Sequence, residues 1–409
     1  MNSCCLCGNT AFIDVFNLGP LPLGFPMEPD QMASEAVWRK DYQLVLCNNC
    51  LLGQTIHKVP DQKLTAENLY LSKRVKAVSD HDRDFALHIP SQLSLQTDSM
   101  IMEIGCGDGS LLEQFQKAGY SKLLGIEPSP HGGDYPFDIV TDYFNSKIVD
   151  QLIAQNQQPD LVIANYVIEL IPDLHEFFKN LAELMKDGSF LVIEVPYLNS
   201  FLNGFRLDGF AHLRCNWLTM ESLMWAFKKF GFRVKDIFLD ETYRGGTLQA
   251  VAQRSSADVL SIPSSLAERL RQEKDELTAP FFSALRSKID LYRDATRDKI
   301  NDLCNKGVSL YGYGGGLKAS TIVNFLGLTT SQITMTIDID PNKQNKVIPV
   351  ANIPIRPRDE LFYENTKEIG VIMLALDHLA EAEDYLKGRL RKGSLLIHVL
   401  PEYETFAVK

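Results

Sequence analysis

The chain has 409 residues, 52 acidic against 41 basic side chains (formal charge −11), 45% hydrophobic and 23% charged residues. This is globular composition with length for two or three cores, which argues against disorder, and its acidity disfavours general nucleic-acid coating, which needs an excess of cations. No apolar run reaches the roughly 18 residues that span a bilayer, and the first ten residues lack the basic and apolar regions of a secretory leader, so the expectation is a cytoplasmic protein with no membrane or nucleic-acid partner.

Four of the eight cysteines form two matched pairs, Cys4-x-x-Cys7 and Cys47-x-x-Cys50. Each C-x-x-C turn aims two sulfurs at one centre, and two such turns complete the tetrahedral thiolate set that Zn2+ prefers. A closed four-thiolate site leaves no position for water, so such a metal is structural. Disulfides, the other use of paired cysteines, are disfavoured in a cytoplasmic chain. Residues 1–62 are therefore read as a zinc-binding module with Cys4, Cys7, Cys47 and Cys50 as ligands and an insertion over Phe12–Arg39. Cys5, Cys106, Cys215 and Cys304 follow no pattern and are read as packing residues.

Residues 63–256 read as a nucleotide-binding-type α/β domain. Ser99–Gly105 is a short buried strand that runs into the turn Gly105-Cys-Gly107-Asp-Gly109, and Leu111-Leu112-x-x-Phe115 supplies helical spacing. The three glycines permit close backbone approach to a ligand at the strand's carboxyl end. A second strand, Leu123–Ile126, ends in Glu127, where an acidic group can bind ribose hydroxyls. Strand, glycine turn, helix and acidic residue in that order make a nucleotide-type site much more specific than glycines alone.

Residues 257–304 have polar, helical spacing broken at Pro280 and read as a helical linker. Residues 305–409 repeat the earlier theme. Val308–Tyr313 is a strand before Gly314-Gly-Gly316, and Ile333–Asp340 is a second strand with acidic residues at its end. Val371–Ala375 and Ser394–His398 are further buried strands. Free N–H groups near Gly315–Ala319, with Lys318 beside them, could receive an anion; alternatively the glycines serve only the turn.

The form Glu103-x-Gly105-x-Gly107-x-Gly109 resembles the first motif of class I S-adenosylmethionine-dependent methyltransferases. Asp142-Tyr143-Phe144 stands where that family contacts adenine, Pro159–Asn165 resembles its fourth strand and Gly188–Pro196 its fifth. The resemblance implies S-adenosylmethionine as cofactor, held by Glu103, Gly105, Gly107, Gly109, Glu127, Asp142, Tyr143, Phe144 and Asn165. Across nearly the whole chain the order is similar to that of the nucleotide-sugar C-methyltransferases of deoxysugar biosynthesis. Cys4-x-x-Cys7-Gly8, Leu18–Phe25, Cys47-x-x-Cys50-Leu-Leu-Gly, Gly245-Gly-Thr-Leu248, Tyr311–Ser320, Asp338–Gln344 and Ile353–Ile355 carry that likeness. It implies an α/β fold: a class I methyltransferase Rossmann-like domain flanked by an N-terminal zinc-binding module and a second, C-terminal Rossmann-like α/β domain.

The chemistry-bearing positions depart from the family. Leu170 stands where a His is usual; Ala211, Leu213 and Arg214 replace a Tyr, Glu and His; Gln249 replaces an Arg. Carbon methylation needs a base within reach of the acidic C–H, so O- or N-methyl transfer enters beside C-methyl transfer. His212, one residue from the usual place, Tyr70 and Glu169 are the candidate catalytic residues, with Tyr166, Tyr197 and Arg214 as further pocket candidates. The expected partner is a small molecule, a nucleotide-linked sugar, held between the middle and C-terminal domains of a monomer or homodimer. The alternative is a nucleotide-sugar-binding protein that kept the scaffold and lost turnover. An RNA methyltransferase is disfavoured by the acidic charge.

Overall fold

A computed structural model describes residues 2–33, 37–60, 73, 75–129, 135–256, 264–362 and 367–409. Strands β1 (Phe12–Pro22), β2 (Arg39–Cys47) and β3 (Gly53–Thr55) form an antiparallel sheet. Alternate residues of β2, Tyr42, Leu44 and Leu46, are fully buried, as the period of two requires for a face turned to a core.

After α1 (Lys76–Gln92) the chain alternates as its periodicity predicts. The elements are β4 (Met100–Ile104), α2 (Ser110–Lys117), β5 (Lys122–Ile126), β6 (Asp138–Val140), α3 (Ser146–Ala154), β7 (Leu161–Asn165), α4 (Leu174–Leu184) and β8 (Phe190–Pro196). Then come α5 (Leu198–Asn203), β9 (Asn216–Trp217), α6 (Met220–Phe230), β10 (Phe232–Asp240) and β11 (Thr247–Arg254). Polar side chains set the helix starts: Asn145 caps α3, Asp173 caps α4, and Thr219 with Ser222 forms a reciprocal box at α6. The middle sheet has the order β10-β11-β8-β7-β4-β5-β6. β8, β7, β4, β5 and β6 are parallel, and β11 runs against both its neighbours. Helices cover both faces of a parallel sheet, which is why β4, β7 and β8 are almost continuous apolar runs. The connection reverses between β4 and β7, leaving a crevice at their carboxyl ends.

Helices α7 (Ser264–Glu276) and α8 (Ala279–Asn305) meet at the expected break, with Pro280 in the first turn of α8, where its missing N–H leaves no bond unmade. The last sheet uses β12 (Ser309–Tyr313), α9 (Leu317–Leu326), β13 (Ile333–Asp338), β14 (Val347–Ile348), β15 (Ile353–Pro357), β16 (Ile369–Met373), α10 (Leu379–Lys387), β17 (Leu395–His398) and β18 (Glu404–Ala407). Its order is β14-β15-β13-β12-β16-β17-β18. The five central strands are parallel and the order reverses between β12 and β16, a second crevice of the same kind. The α/β architecture is the one the sequence leads to expect.

The three sheets share cores. β9, from the stretch after α5, adds to the first sheet through Gly53↔Trp217 and Gln54↔Asn216. Phe16, Tyr42, Phe201, Phe210 and Trp217 pack in one buried cluster with Phe282 and Ile289 of α8 and Ile322 and Phe325 of α9. Met27 also bridges Val347 of β14. The N-terminal sheet therefore ties the middle and C-terminal sheets together.

Candidate active site

The sulfurs of Cys4, Cys7, Cys47 and Cys50 lie within 4.8 Å of one another. Cys4–Cys50 is 3.6 Å and Cys7–Cys47 3.5 Å. These separations are far beyond the roughly 2.05 Å of a disulfide. They lie close to the ~3.8 Å edge of a tetrahedron drawn with ~2.3 Å metal–sulfur bonds. Asn49 N (3.5 Å) and Asn9 Nδ2 (3.7 Å) donate to Cys47 Sγ, as suits a sulfur carrying negative charge. The set could hold a metal ion. It docks on the middle domain through His175, whose backbone N donates to Cys5 O at 2.9 Å and whose Nδ1 donates to Leu6 O at 3.0 Å.

At the crevice of the middle sheet, Gly105, Gly107 and Gly109 all have positive φ, so this turn cannot be built cheaply from other residues. A Cβ on Gly105 would meet Val167 Cγ2 at 2.6 Å, whereas one on Gly107 would meet nothing within 4 Å: the first glycine closes on the protein, the second faces open space. Glu127, at the end of β5, accepts from Gly107 N at 3.0 Å and from Ser129 N at 3.0 Å. Glu103 is buried, and its Oε2 has no hydrogen-bond partner among the described residues; the same is true of Asn165 Oδ1 at the end of β7. Burial pushes the Glu103 carboxyl well above its ordinary pKa, and the charges of Asp82, Asp108 and Glu127 push in the same direction. Asp82, which accepts from Ser110 Oγ at 2.6 Å, is raised by burial to about 6. Buried acceptors without donors are costly, and four crowded carboxyls repel, so the cleft is built for a cationic ligand with N–H donors. The donor set fits the ammonium and sulfonium of S-adenosylmethionine.

Beside this cleft, Tyr166 takes a positive φ of 53° and its hydroxyl bonds Thr247 Oγ1. The Arg244 guanidinium lies 4.0 Å from the centre of its ring. Glu169 follows in the next turn, buried, with its Oε1 3.9 Å from Arg214 Nε and its Oε2 unpartnered among the described residues. Burial raises its pKa while Arg214 opposes the rise. His81 of α1 bonds Glu194 of β8, and Gln249 of β11 bonds the other oxygen of Glu194.

At the second crevice, Arg206 pairs with Asp208 (2.8 Å) and Asp377 (2.8 Å), and Lys318 with Asp208 (3.5 Å) and Asp377. Asp208 has no exposed side-chain surface. Burial opposes ionisation of both aspartates, yet Lys318 and Arg206 hold them below the usual carboxylate range. The turn before α9 is closed by Asp338, which accepts from Gly315 N at 2.9 Å.

The other expected residues are held by contacts of their own. His212 is buried beside Trp38 (4.5 Å between ring centres) and Tyr42 (5.1 Å), with Nε2 donating to Lys40 O at 2.9 Å. Burial pulls its pKa down to about 4. Tyr197 donates to the buried Glu273 at 2.7 Å, the residue that also receives the N–H groups of Met220 and Glu221 at the start of α6. Asp142 accepts from Tyr143 N, Tyr143 is largely exposed, and Phe144 packs on Phe177. Tyr70 lies outside the described residues. Sequence reasoning missed His81, Arg206, Asp208, Arg244 and Asp377. Glu194 carried a signal, an acidic residue inside the apolar run Leu-Val-Ile-Glu-Val.

Residues 79–237 match the family model of a methyltransferase domain, and residues 242–401 match that of the C-methyltransferase C-terminal domain. C-methyltransferase NovU of Streptomyces niveus is 23% identical over 410 aligned positions, covering 98% of this chain and 96% of that protein. Ubiquinone biosynthesis O-methyltransferase of Caulobacter vibrioides is 28% identical over 129 positions, 29% of this chain and 48% of that protein. Among solved structures, magnesium protoporphyrin IX methyltransferase from Synechocystis PCC 6803 with bound SAH aligns at a TM-score of 0.35 with 14% identity, covering 47% of this chain and 92% of that one. The two matched segments include the stretches Glu103–Gly109 and Tyr311–Ser320 that carried the resemblance.

Proposed function

We propose that this chain, an S-adenosylmethionine-dependent methyltransferase built with a C-methyltransferase C-terminal domain, methylates a nucleotide-activated sugar at carbon. The supporting observation is the pair of buried oxygens without partners, Glu103 Oε2 and Asn165 Oδ1, beside the open glycine turn. Glu103 and Asn165 would receive the ammonium of the donor, Glu127 its ribose hydroxyls, and Asp142–Phe144 would border its adenine. S-adenosylmethionine supplies a methyl carbon made electrophilic by the attached sulfonium. The chain's own work is then to hold the acceptor in line, exclude water and take up a proton.

For the acceptor, the C-methyltransferase name of the Streptomyces relative and the family resemblance support carbon. Arg206 and Lys318, gathered where the middle and C-terminal domains meet, with Arg214 near enough to act on the Lys318 charge, suit the diphosphate of a nucleotide sugar. Glu169, whose carboxyl burial raises above its ordinary pKa, would hydrogen-bond a sugar hydroxyl. By the resemblance, Tyr70 would stand at the acceptor's edge. His212, with its low pKa and its bond to Lys40 O, would act indirectly, by packing the N-terminal sheet against the stretch after α5. Cys4, Cys7, Cys47 and Cys50 would hold one structural Zn2+.

The test is incubation with isotope-labelled methyl donor and a panel of nucleoside-diphosphate sugars, read by mass spectrometry. Label on a sugar carbon supports the reading. Donor binding without transfer to any member favours the altered binding protein, for which Leu170, Leu213 and Arg214 are the motivating departures.

A further inference from the structure

The His81–Glu194 pair has a geometry that no family motif supplied. His81 Nε2 lies 2.9 Å from Glu194 Oε2. Glu194 is 2% exposed in its side chain and His81 26%, so the carboxylate is sealed while the imidazole stays partly open. Gln249 Nε2 donates to the remaining oxygen, Glu194 Oε1, at 2.7 Å. An ionised carboxylate only accepts. The imidazole proton is therefore fixed on Nε2, and the neutral ring presents a bare Nδ1, which has no hydrogen-bond partner among the described residues. Tyr243 stacks on the ring at 4.1 Å with an interplanar angle of 17°, and Tyr243 in turn lies 6.1 Å from the Tyr166 ring. Tyr166 directly follows Asn165, one of the two unpartnered groups of the donor cleft. Its own N donates to Glu194 O at 2.7 Å. One short chain of contacts thus links the imidazole to the donor crevice.

We propose that His81 is the general base of this methyl transfer and that Glu194, braced by Gln249, is its positioning residue. The proposal rests on the methyltransferase reading above. The acceptor's proton, from an acidic C–H or a hydroxyl, passes to Nδ1 and leaves an imidazolium paired with Glu194. The electron pair left on the acceptor forms the new bond to the methyl carbon, and the pair of the broken carbon–sulfur bond stays on the donor's sulfur. This explains how the chain works with Leu170, Leu213 and Arg214 where bases and acids are expected: the proton acceptor comes from α1 instead. Besides Glu194, the charged groups around the ring are Asp82 on α1, Asp240 at the end of β10 and Arg244 in the following turn. Burial works against a charged ring, but Glu194 outweighs it and raises the His81 pKa above the ordinary value, which suits a group that must hold a proton during transfer.

The experiment compares His81→Asn and Glu194→Gln with the wild type in two readouts. In the first, 13C-labelled histidine is titrated by NMR, His81 being the resonance missing from His81→Asn; its midpoint should fall in Glu194→Gln. In the second, His81→Asn should lower kcat about 100- to 10,000-fold while S-adenosylhomocysteine affinity is retained. Glu194→Gln should shift the acidic limb of the kcat/KM pH profile along with the NMR midpoint. His81→Asn turning over near the wild-type rate would overturn the proposal, as would a His81 midpoint indifferent to Glu194→Gln. If the wild type itself transfers no methyl, the acceptor reading has failed; the titration needs no acceptor and still decides whether the dyad exists.

Discussion

Gly107 and Gly327 form a matched pair for separating backbone strain from ligand approach. Both have positive φ, +53° and +67°, and a Cβ at either meets nothing within 4 Å. Alanine at each should cost about 1–2 kcal/mol of folding stability from left-handed backbone strain, with no clash to add. Gly327 only ends α9 in a left-handed cap, whereas Gly107 opens into the cleft with its N–H tied to Glu127 at 3.0 Å. A donor resting in van der Waals contact with the Gly107 Cα would have to retreat by roughly a methyl radius, forfeiting much of its local contact. Gly107→Ala should thus weaken S-adenosylhomocysteine about 10- to 100-fold, or ~1.4–2.7 kcal/mol. Calorimetric titration beside urea unfolding reads both effects. Equal stability losses with lost affinity only in Gly107→Ala is the expected result. Undiminished binding by Gly107→Ala, or equal loss in Gly327→Ala, would refute the reasoning.

Metal analysis of the purified protein should find about one zinc per chain, with Cys47→Ser losing both metal and stability; folded, metal-free wild type would exclude the site. Asp82 has a folded pKa of about 6 against 3.8 for the free group, so its proton stabilises the fold below pH 3.8 and that contribution is lost as pH rises through 6. The stability of the wild type relative to Asp82→Asn should accordingly fall by up to about 3 kcal/mol between pH 4 and 7 in urea unfolding, and a difference that stays flat would contradict it. Lys318→Met should weaken binding of a nucleoside diphosphate about tenfold and leave S-adenosylhomocysteine affinity unchanged, because Asp208 keeps Arg206 as partner; calorimetry with the two ligands separates these outcomes.

What the sequence made legible was local. Strand β4, the glycine turn and α2 are contiguous, so their periodicity, glycines and Glu103 could be read together. Cys4, Cys7, Cys47 and Cys50 announce themselves by spacing alone. The break at Pro280 follows from proline's missing N–H. What stayed hidden depends on long-range packing. His81 and Glu194 are 113 positions apart, and Arg206 and Asp377 are 171 apart, so neither pair leaves a local pattern. His212 stood near a family position in register, but its environment is set by Trp38 and by Lys40 of β2, the latter 172 positions earlier. The sharing of cores was equally hidden, because β9 is only two residues long and belongs to the first sheet by pairing rather than by sequence order.

Equilibrium dialysis of labelled S-adenosylmethionine against the wild type and Glu103→Gln probes the cleft without needing an acceptor. Binding should saturate near one donor per chain, be displaced by S-adenosylhomocysteine but not by NADH, and weaken at least tenfold in Glu103→Gln as the ammonium loses its buried carboxylate. No saturable binding to the wild type, or displacement by NADH, would contradict a methyl-donor site at Glu103–Gly109.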